Sequence, residues 1–332
     1  MKRFAIAVIT TSVLHASVAY SQSARVEFAE TGGYSTEQVA ALATQLRAFG
    51  ELAPPRLRFN VEVAWAMRSA ENSDVFGAAY PYDGGIKVIE AYGERTFLPG
   101  RGLFGIKAGR YRTPFGISSG SDHAYNGFLR APLIRYDGYF ALSNNFLEQG
   151  VDVIVGTPRL SFEASVGAPG DVGTARRRSG LDTVLRGQGA FGSMIVGVSH
   201  IDTRPYQSPR FAQGHAVFTG IDVRWMRDGV QGRGEWIAGR PFDGTTTTGG
   251  YADVIVHRPG MGQFSPVLRV ERLSYEAPPP FAMAAQRYTA GTRIRIVDRL
   301  TAEIALVHHT RHLPQRRPTA LDVGLTYSLR RD

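Results

Sequence analysis

The chain contains no cysteine. That excludes disulfides, thiolate metal sites and lipid attachment at a signal cysteine. Beyond its first two dozen positions it also lacks any run of 18 apolar residues, and its mean hydropathy is slightly negative, so no membrane-spanning helix is expected. Lysine is scarce: after Lys2 only Lys87 and Lys107 occur, and arginine carries the remaining positive charge.

What is present begins with an export signal. Lys2 and Arg3 form a basic start, Phe4 to Val13 an apolar stretch too short to anchor the chain, and Ser17-Val18-Ala19 a small-x-small cleavage site, with a second option after Ser21. Residues 1–21 are therefore expected to be a signal peptide. Residues 22–57 read as a separate periplasmic or plug segment with one helix. Ser35 and Gln38 have capping-box spacing, Val39, Leu42, Leu46 and Phe49 recur every three or four positions, and Pro54-Pro55 ends the run.

From Arg58 the pattern changes. Phe59, Val61, Val63, Trp65 and Met67 share one face of an extended strand, while Asn60, Glu62 and two alanines share the other. Similar alternation predicts strands near 58–67, 86–93, 103–112, 149–156, 160–167, 181–191, 193–201, 216–226, 230–239, 250–257, 265–274, 287–296, 300–309 and 320–329. Three connections, at 157–159, 227–229 and 297–299, are tight turns, and a fourth is Gly192 alone. Those at 68–85, 113–148, 168–180, 202–215, 240–249, 275–286 and 310–319 are long and rich in Gly, Pro, Ser and Thr. A soluble β-sandwich or lipocalin-like barrel would alternate too, but its connections would not sort by length. The expected fold is an all-β transmembrane antiparallel barrel over residues 58–332, with about fourteen strands, or sixteen.

Three stretches carry a family resemblance. Ile106 to Gly116 ends in Pro114-Phe115-Gly116 before a long segment; Gly234-Glu235-Trp236-Ile237-Ala238-Gly239 is followed by Gly249-Gly250-Tyr251; Pro266 to Glu271 places an arginine and a glutamate after a proline. These resemble the phosphate-selective porin O and P family of Gram-negative outer membranes. The resemblance implies an outer-membrane porin, usually a homotrimer, whose loop after Pro-Phe-Gly folds inward as a constriction, here 117–147. Lys107, Arg130, Arg135 and Asp137 would then stand in the narrowest part. Two lysines cannot build the lysine ladder of that family's phosphate-selective members, so phosphate specificity does not carry over. The family fold has sixteen strands, and the chain ends Leu329-Arg330-Arg331-Asp332 without a terminal aromatic.

Register places Arg58, Glu62, Asp222, Arg224, Arg233, Glu235, Arg269, Glu271, Arg293 and Arg295 on the lumen wall, where fixed charge sets the barrier for ions. Opposite charges on neighbouring strands also pair structurally. Setting aside Lys2 and Arg3 lowers the formal net charge from +9 to +7. Two readings of that excess stay open: an affinity for anionic solutes or lipopolysaccharide phosphates, and the arginine usage of a GC-rich genome. Nucleic acid does not suit an exported barrel. No cofactor, metal site or catalytic residue is expected: Ser199-His200 and His308-His309 are neighbours that point to opposite faces of a strand. The function so read is passive diffusion of small hydrophilic solutes or ions, with a mild anion preference as an option. The alternative is a non-conducting barrel used for adhesion or lipopolysaccharide contact.

Overall fold

The computed structural model describes residues 21–52, 57–70, 84–97, 102–117, 129–135, 147–169, 181–203, 216–240, 245–257, 262–276, 282–311 and 318–331. Their strands are β1 (Ser21–Ser35), β2 (Val39–Leu52), β3 (Leu57–Arg68), β4 (Ile86–Phe97), β5 (Leu103–Arg112), β6 (Leu147–Gly156), β7 (Leu160–Pro169) and β8 (Asp182–Phe191), followed by β9 (Met194–Thr203), β10 (Ala216–Arg227), β11 (Val230–Arg240), β12 (Thr246–Val256), β13 (Phe264–Glu276), β14 (Met283–Val297), β15 (Leu300–Arg311) and β16 (Thr319–Arg331). Each pairs antiparallel with its sequence neighbours, and β1 pairs with β16, closing a sixteen-stranded barrel. Closure leaves no unpaired edge, which is what a sheet in hydrocarbon requires.

The alternation foreseen from Arg58 onward is the wall of this barrel. On β10, Ile221, Val223 and Trp225 face outward and Asp222 is buried inside. On β16, Leu321, Leu325 and Tyr327 face outward and Asp322 inward. Val151, Phe162, Leu185, Val198, Leu268 and Ile304 extend this exposed apolar exterior around the circumference. In water such a surface would be a liability; against lipid it is buried. Phe97, Phe162, Phe191, Trp225, Phe264 and Tyr327 all stand on the exterior within a few residues of one barrel end. They form the aromatic girdle of a membrane interface.

That end carries the tight connections 157–159, 192–193, 228–229 and 298–299, together with both ends of the barrel sequence. Gly192 and Gly229 adopt positive φ there, as two-residue hairpin turns demand. The opposite end carries the long connections, including 113–146 after β5. Four connections break the length rule: at the long-loop end 36–38 has three residues, 241–245 five and 277–282 six, and at the tight-turn end 257–263 has seven.

The N-terminal helix is a correction. Residues 22–57 hold no described helix but supply β1, β2 and the first residue of β3, which raises the strand count to sixteen. Alanine hid the period of two, because Ala40 and Ala48 face out while Ala41 and Ala43 face in, leaving Leu42 and Leu46 at helical spacing on one face. The apparent capping box is a turn. The Glu37 N–H donates to Ser35 Oγ (3.3 Å), the Gln38 N–H to the Ser35 carbonyl (2.9 Å), and Gln38 takes φ 65°. Residues 1–20 of the expected signal peptide and Pro54-Pro55 lie outside the described residues, and Ser21 opens β1.

Candidate functional site

The lumen is built around the chain that leaves β5. Thr113 and Phe115 are buried, and the Phe115 ring joins an apolar cluster with Phe218 on β10 and Ile237 on β11. Gly116 follows with φ 61°, and its N–H donates to Ser199 Oγ on β9 (3.1 Å). A Cβ on Gly116 would lie 1.7 Å from Glu235 Oε1, so glycine is required both by conformation and by the carboxylate against it. Gly220 supplies matching room, since a Cβ there would stand 3.2 Å from the Phe115 ring. The chain thus passes from β5 to β9–β11, strands that are not its neighbours in the sheet.

Residues 129–134 lie against β12–β16 and the turn after β1. The Leu129 N–H donates to Glu303 Oε1 (3.0 Å) and the Leu133 N–H to Glu271 Oε1 (2.9 Å). In return Arg269 donates to the Arg130 carbonyl (2.9 Å) and Arg287 to the Ala131 carbonyl (2.5 Å). Arg130 itself grips Asp322 with two nitrogens (2.6 and 2.8 Å), Ser35 Oγ (3.1 Å) and Glu37 (2.9 Å). Leu133 and Ile134 complete the apolar cluster, with Ile134 against Gly249. Backbone polar groups away from water need such partners. The three apolar side chains Phe115, Leu133 and Ile134 add about 1.5–3 kcal/mol each by burial.

These contacts divide the residues selected from sequence. Arg130, Arg269 and Glu271 are each about 2 % exposed and serve as anchors, not as charges facing water. Glu235 backs the Gly116 turn. Asp222 accepts from Arg186 (2.8 Å) on the same wall. Glu62 joins Arg112 (2.7 Å) and Gln45 (2.7 Å), and Arg233 holds Asp253 bidentately (2.9 Å each). Lys107 sits between Asp152 (2.7 Å) and Glu163 (3.6 Å), above the Tyr111 ring. Arg58 meets Glu94 (3.9 Å) near the tight-turn mouth. Arg224 donates to Gln188 (2.9 Å). Arg135 lies in a single 3-10 turn, Leu133–Arg135; its side chain and Asp137 lie outside the described residues.

Sequence reasoning did not single out Arg186; it placed Arg287 on the lumen wall, weighed Ser199 only as a nucleophile beside His200, and quoted Phe115 only as part of the Pro114-Phe115-Gly116 turn. Arg287 and Ser199 carried the usable signal of inward register. Whether an inward residue meets water or a crossing segment is a long-range property that spacing does not encode. Ser199 and His200 do face opposite sides: Ser199 takes Gly116 and Arg186, while His200 contacts Thr219 outside.

No protein-family model and no curated protein sequence matches the chain. Solved structures do. OmpF of Salmonella typhi superposes with a TM-score of 0.65 at 10% identity, covering 92% of this chain and 97% of that one. OprB of Pseudomonas putida gives 0.64 at 9% identity, with 94% of each chain covered. An anion-selective porin from Comamonas acidovorans gives 0.57 at 10%, covering 92% and 99%. At such identity the likeness is one of architecture, and the chain shares the closed sixteen-stranded fold of outer-membrane porins.

Proposed function

We propose that the barrel is a diffusion pore for small hydrophilic solutes and ions in the outer membrane of a Gram-negative bacterium, with 117–147 as its inward constriction. The observation that carries this reading is the path of the chain after β5, from Gly116 at Ser199 to Leu133 at Glu271. It crosses between distant strands and is pinned to one side of the wall, while the polar wall of β2–β8, with Lys107, Glu163 and Arg47 partly exposed, faces the remaining lumen. A purely structural plug would need no such mixed, water-contacting wall.

A mild anion preference is part of the proposal. Arg224, Arg293 and Arg295 make no ion pair among the described residues and are at least partly exposed, whereas Glu148 and Glu303, which also make none, are buried. The resemblance to phosphate-selective porins contributes the Pro114-Phe115-Gly116 turn and loop, not phosphate specificity. A homotrimer is part of the proposal, supported by one structural neighbour, an OmpT of Vibrio cholerae solved as a trimer. Contact with lipopolysaccharide through Arg176, Arg177, Arg178, Arg316 and Arg317 falls outside the described residues.

Single-channel recording of purified protein in a planar bilayer tests the reading. Stepwise conductance with a reversal potential on the anion side of neutral is expected. Insertion without conductance would favour the non-conducting barrel.

A further inference from the structure

At the tight-turn mouth the lumen wall opens into a recess of about 350 Å³, lined by His257, Ser265, Arg293, Arg295 and Thr301 and by the connection ahead of β13. That connection, with seven residues, is the longest at the tight-turn end. Gly262 turns it at φ 62°, and the Gln263 carbonyl accepts from the Arg295 N–H (3.0 Å). Gly262 and Gln263 therefore stand against β14 and help to wall the recess.

The lining is cationic and underpaired. Arg293 stands opposite Glu303 in register and within its electrostatic reach, but Glu303 Oε1 accepts from the Leu129 N–H, and neither Arg293 nor Arg295 forms an ion pair within 4.0 Å among the described residues. On one strand face, positions 293 and 295 are about 6.5–7 Å apart. Ser265 and Thr301 add hydroxyls, and His257 Nδ1 bonds Ser265 Oγ (2.8 Å). Burial and the neighbouring Arg293 hold the His257 imidazole below its ordinary pKa. It is thus mostly neutral at neutral pH, which leaves the two guanidinium groups as the charges to be matched. Each presents a planar fork suited to an oxyanion, and the recess has room for a solute of roughly ten heavy atoms.

We propose that this recess is a binding site for a small solute carrying two oxyanion groups, one per guanidinium, held on its way through the pore. The site rests on the reading of the lumen as a solute path. Lipid phosphate is a poor occupant, because Ser265, Arg293, Arg295 and Thr301 share the lumen face of their strands, opposite the exterior face that carries Phe264.

Calorimetric titration of succinate and of citrate into the folded barrel in neutral detergent at low ionic strength tests it. One saturable site per chain is expected, weakened at least tenfold in Arg293→Gln/Arg295→Gln. Arg227→Gln, in an exposed turn beside Asp228 (3.2 Å), should bind as the unmodified chain does. In the unmodified chain, bound citrate should raise the His257 pKa, read by imidazole NMR, so the site stays testable if the double variant misfolds. Equal binding by the double variant, or neither heat nor a His257 shift, would overturn the site. Binding without bilayer conductance would sink the pore reading and leave the site standing; conductance without binding would do the reverse.

Discussion

Arg130 and Asp322 form a two-nitrogen ion pair across 192 positions of sequence, both side chains almost wholly shielded from water. Removing one partner strands a buried charge, which typically costs about 3–5 kcal/mol, whereas exchanging both for apolar residues of similar size is often neutral. Asp322→Ala should therefore lower stability by that amount in urea titrations of the barrel in vesicles, and should add open-channel noise as residues 129–134 loosen. Arg130→Met with Asp322→Leu and Glu37→Gln, which also neutralises the second carboxylate that Arg130 holds, should recover most of the stability. Equal losses in the single and triple variants would show that these groups do not act as a unit.

The Gly116 turn makes a second expectation. Alanine there meets a left-handed conformation worth about 1–2 kcal/mol and a carboxylate oxygen at 1.7 Å. Gly116→Ala should destabilise the barrel by more than 2 kcal/mol on those grounds. Adding Glu235→Ala should relieve the steric part and leave the conformational part. Unfolding midpoints of the single and double variants decide it.

The two faces of β10 should respond in opposite ways. Ile221→Arg places a charge on the exposed apolar exterior and should cost about 2–4 kcal/mol near the bilayer midplane. Arg224→Ala removes a lumen group bonded to Gln188 and should leave a folded barrel. Heat-modifiable migration on gels reports both, and equal tolerance would argue against a lipid-facing exterior.

Lys107 offers a selectivity test. It compensates both Asp152 and Glu163 while its own side chain remains about one-fifth exposed. Lys107→Gln should shift the reversal potential under a salt gradient toward cations. Arg227→Gln at the tight-turn end should shift it far less.

Because the chain has no cysteine, orientation can be read with single introduced thiols. Thr174→Cys, between β7 and β8, should react with a membrane-impermeant maleimide on intact cells. Ser193→Cys, in the turn between β8 and β9, should react only after the outer membrane is opened. The reverse pattern would invert the barrel.

The strands from Arg58 onward were legible because branched and aromatic residues alternate with polar ones, and because many of their connections sort by length. The first two strands were not, since alanine on both faces of β2 carries no period. Lumen charges such as Arg269 and Glu271 were legible as inward-facing, but not in their role. Arg269 is covered by a carbonyl 139 positions earlier in the chain, a proximity that only the closed barrel creates. The 350 Å³ recess was equally hidden, because it depends on how 262–263 folds back on Arg295.

Ser35 and Asp322 are register partners on β1 and β16, the two strands whose pairing shuts the barrel. Arg130 holds both, so its complete set of partners comes into being only when the first and last strands meet. The crossing segment is thereby made dependent on the final event of assembly: a chain still open along its side offers half a socket, and the channel cannot acquire its inner geometry before its outer wall is whole. Pore shape in this molecule is a checkpoint on completion, recorded in one guanidinium that bridges the seam.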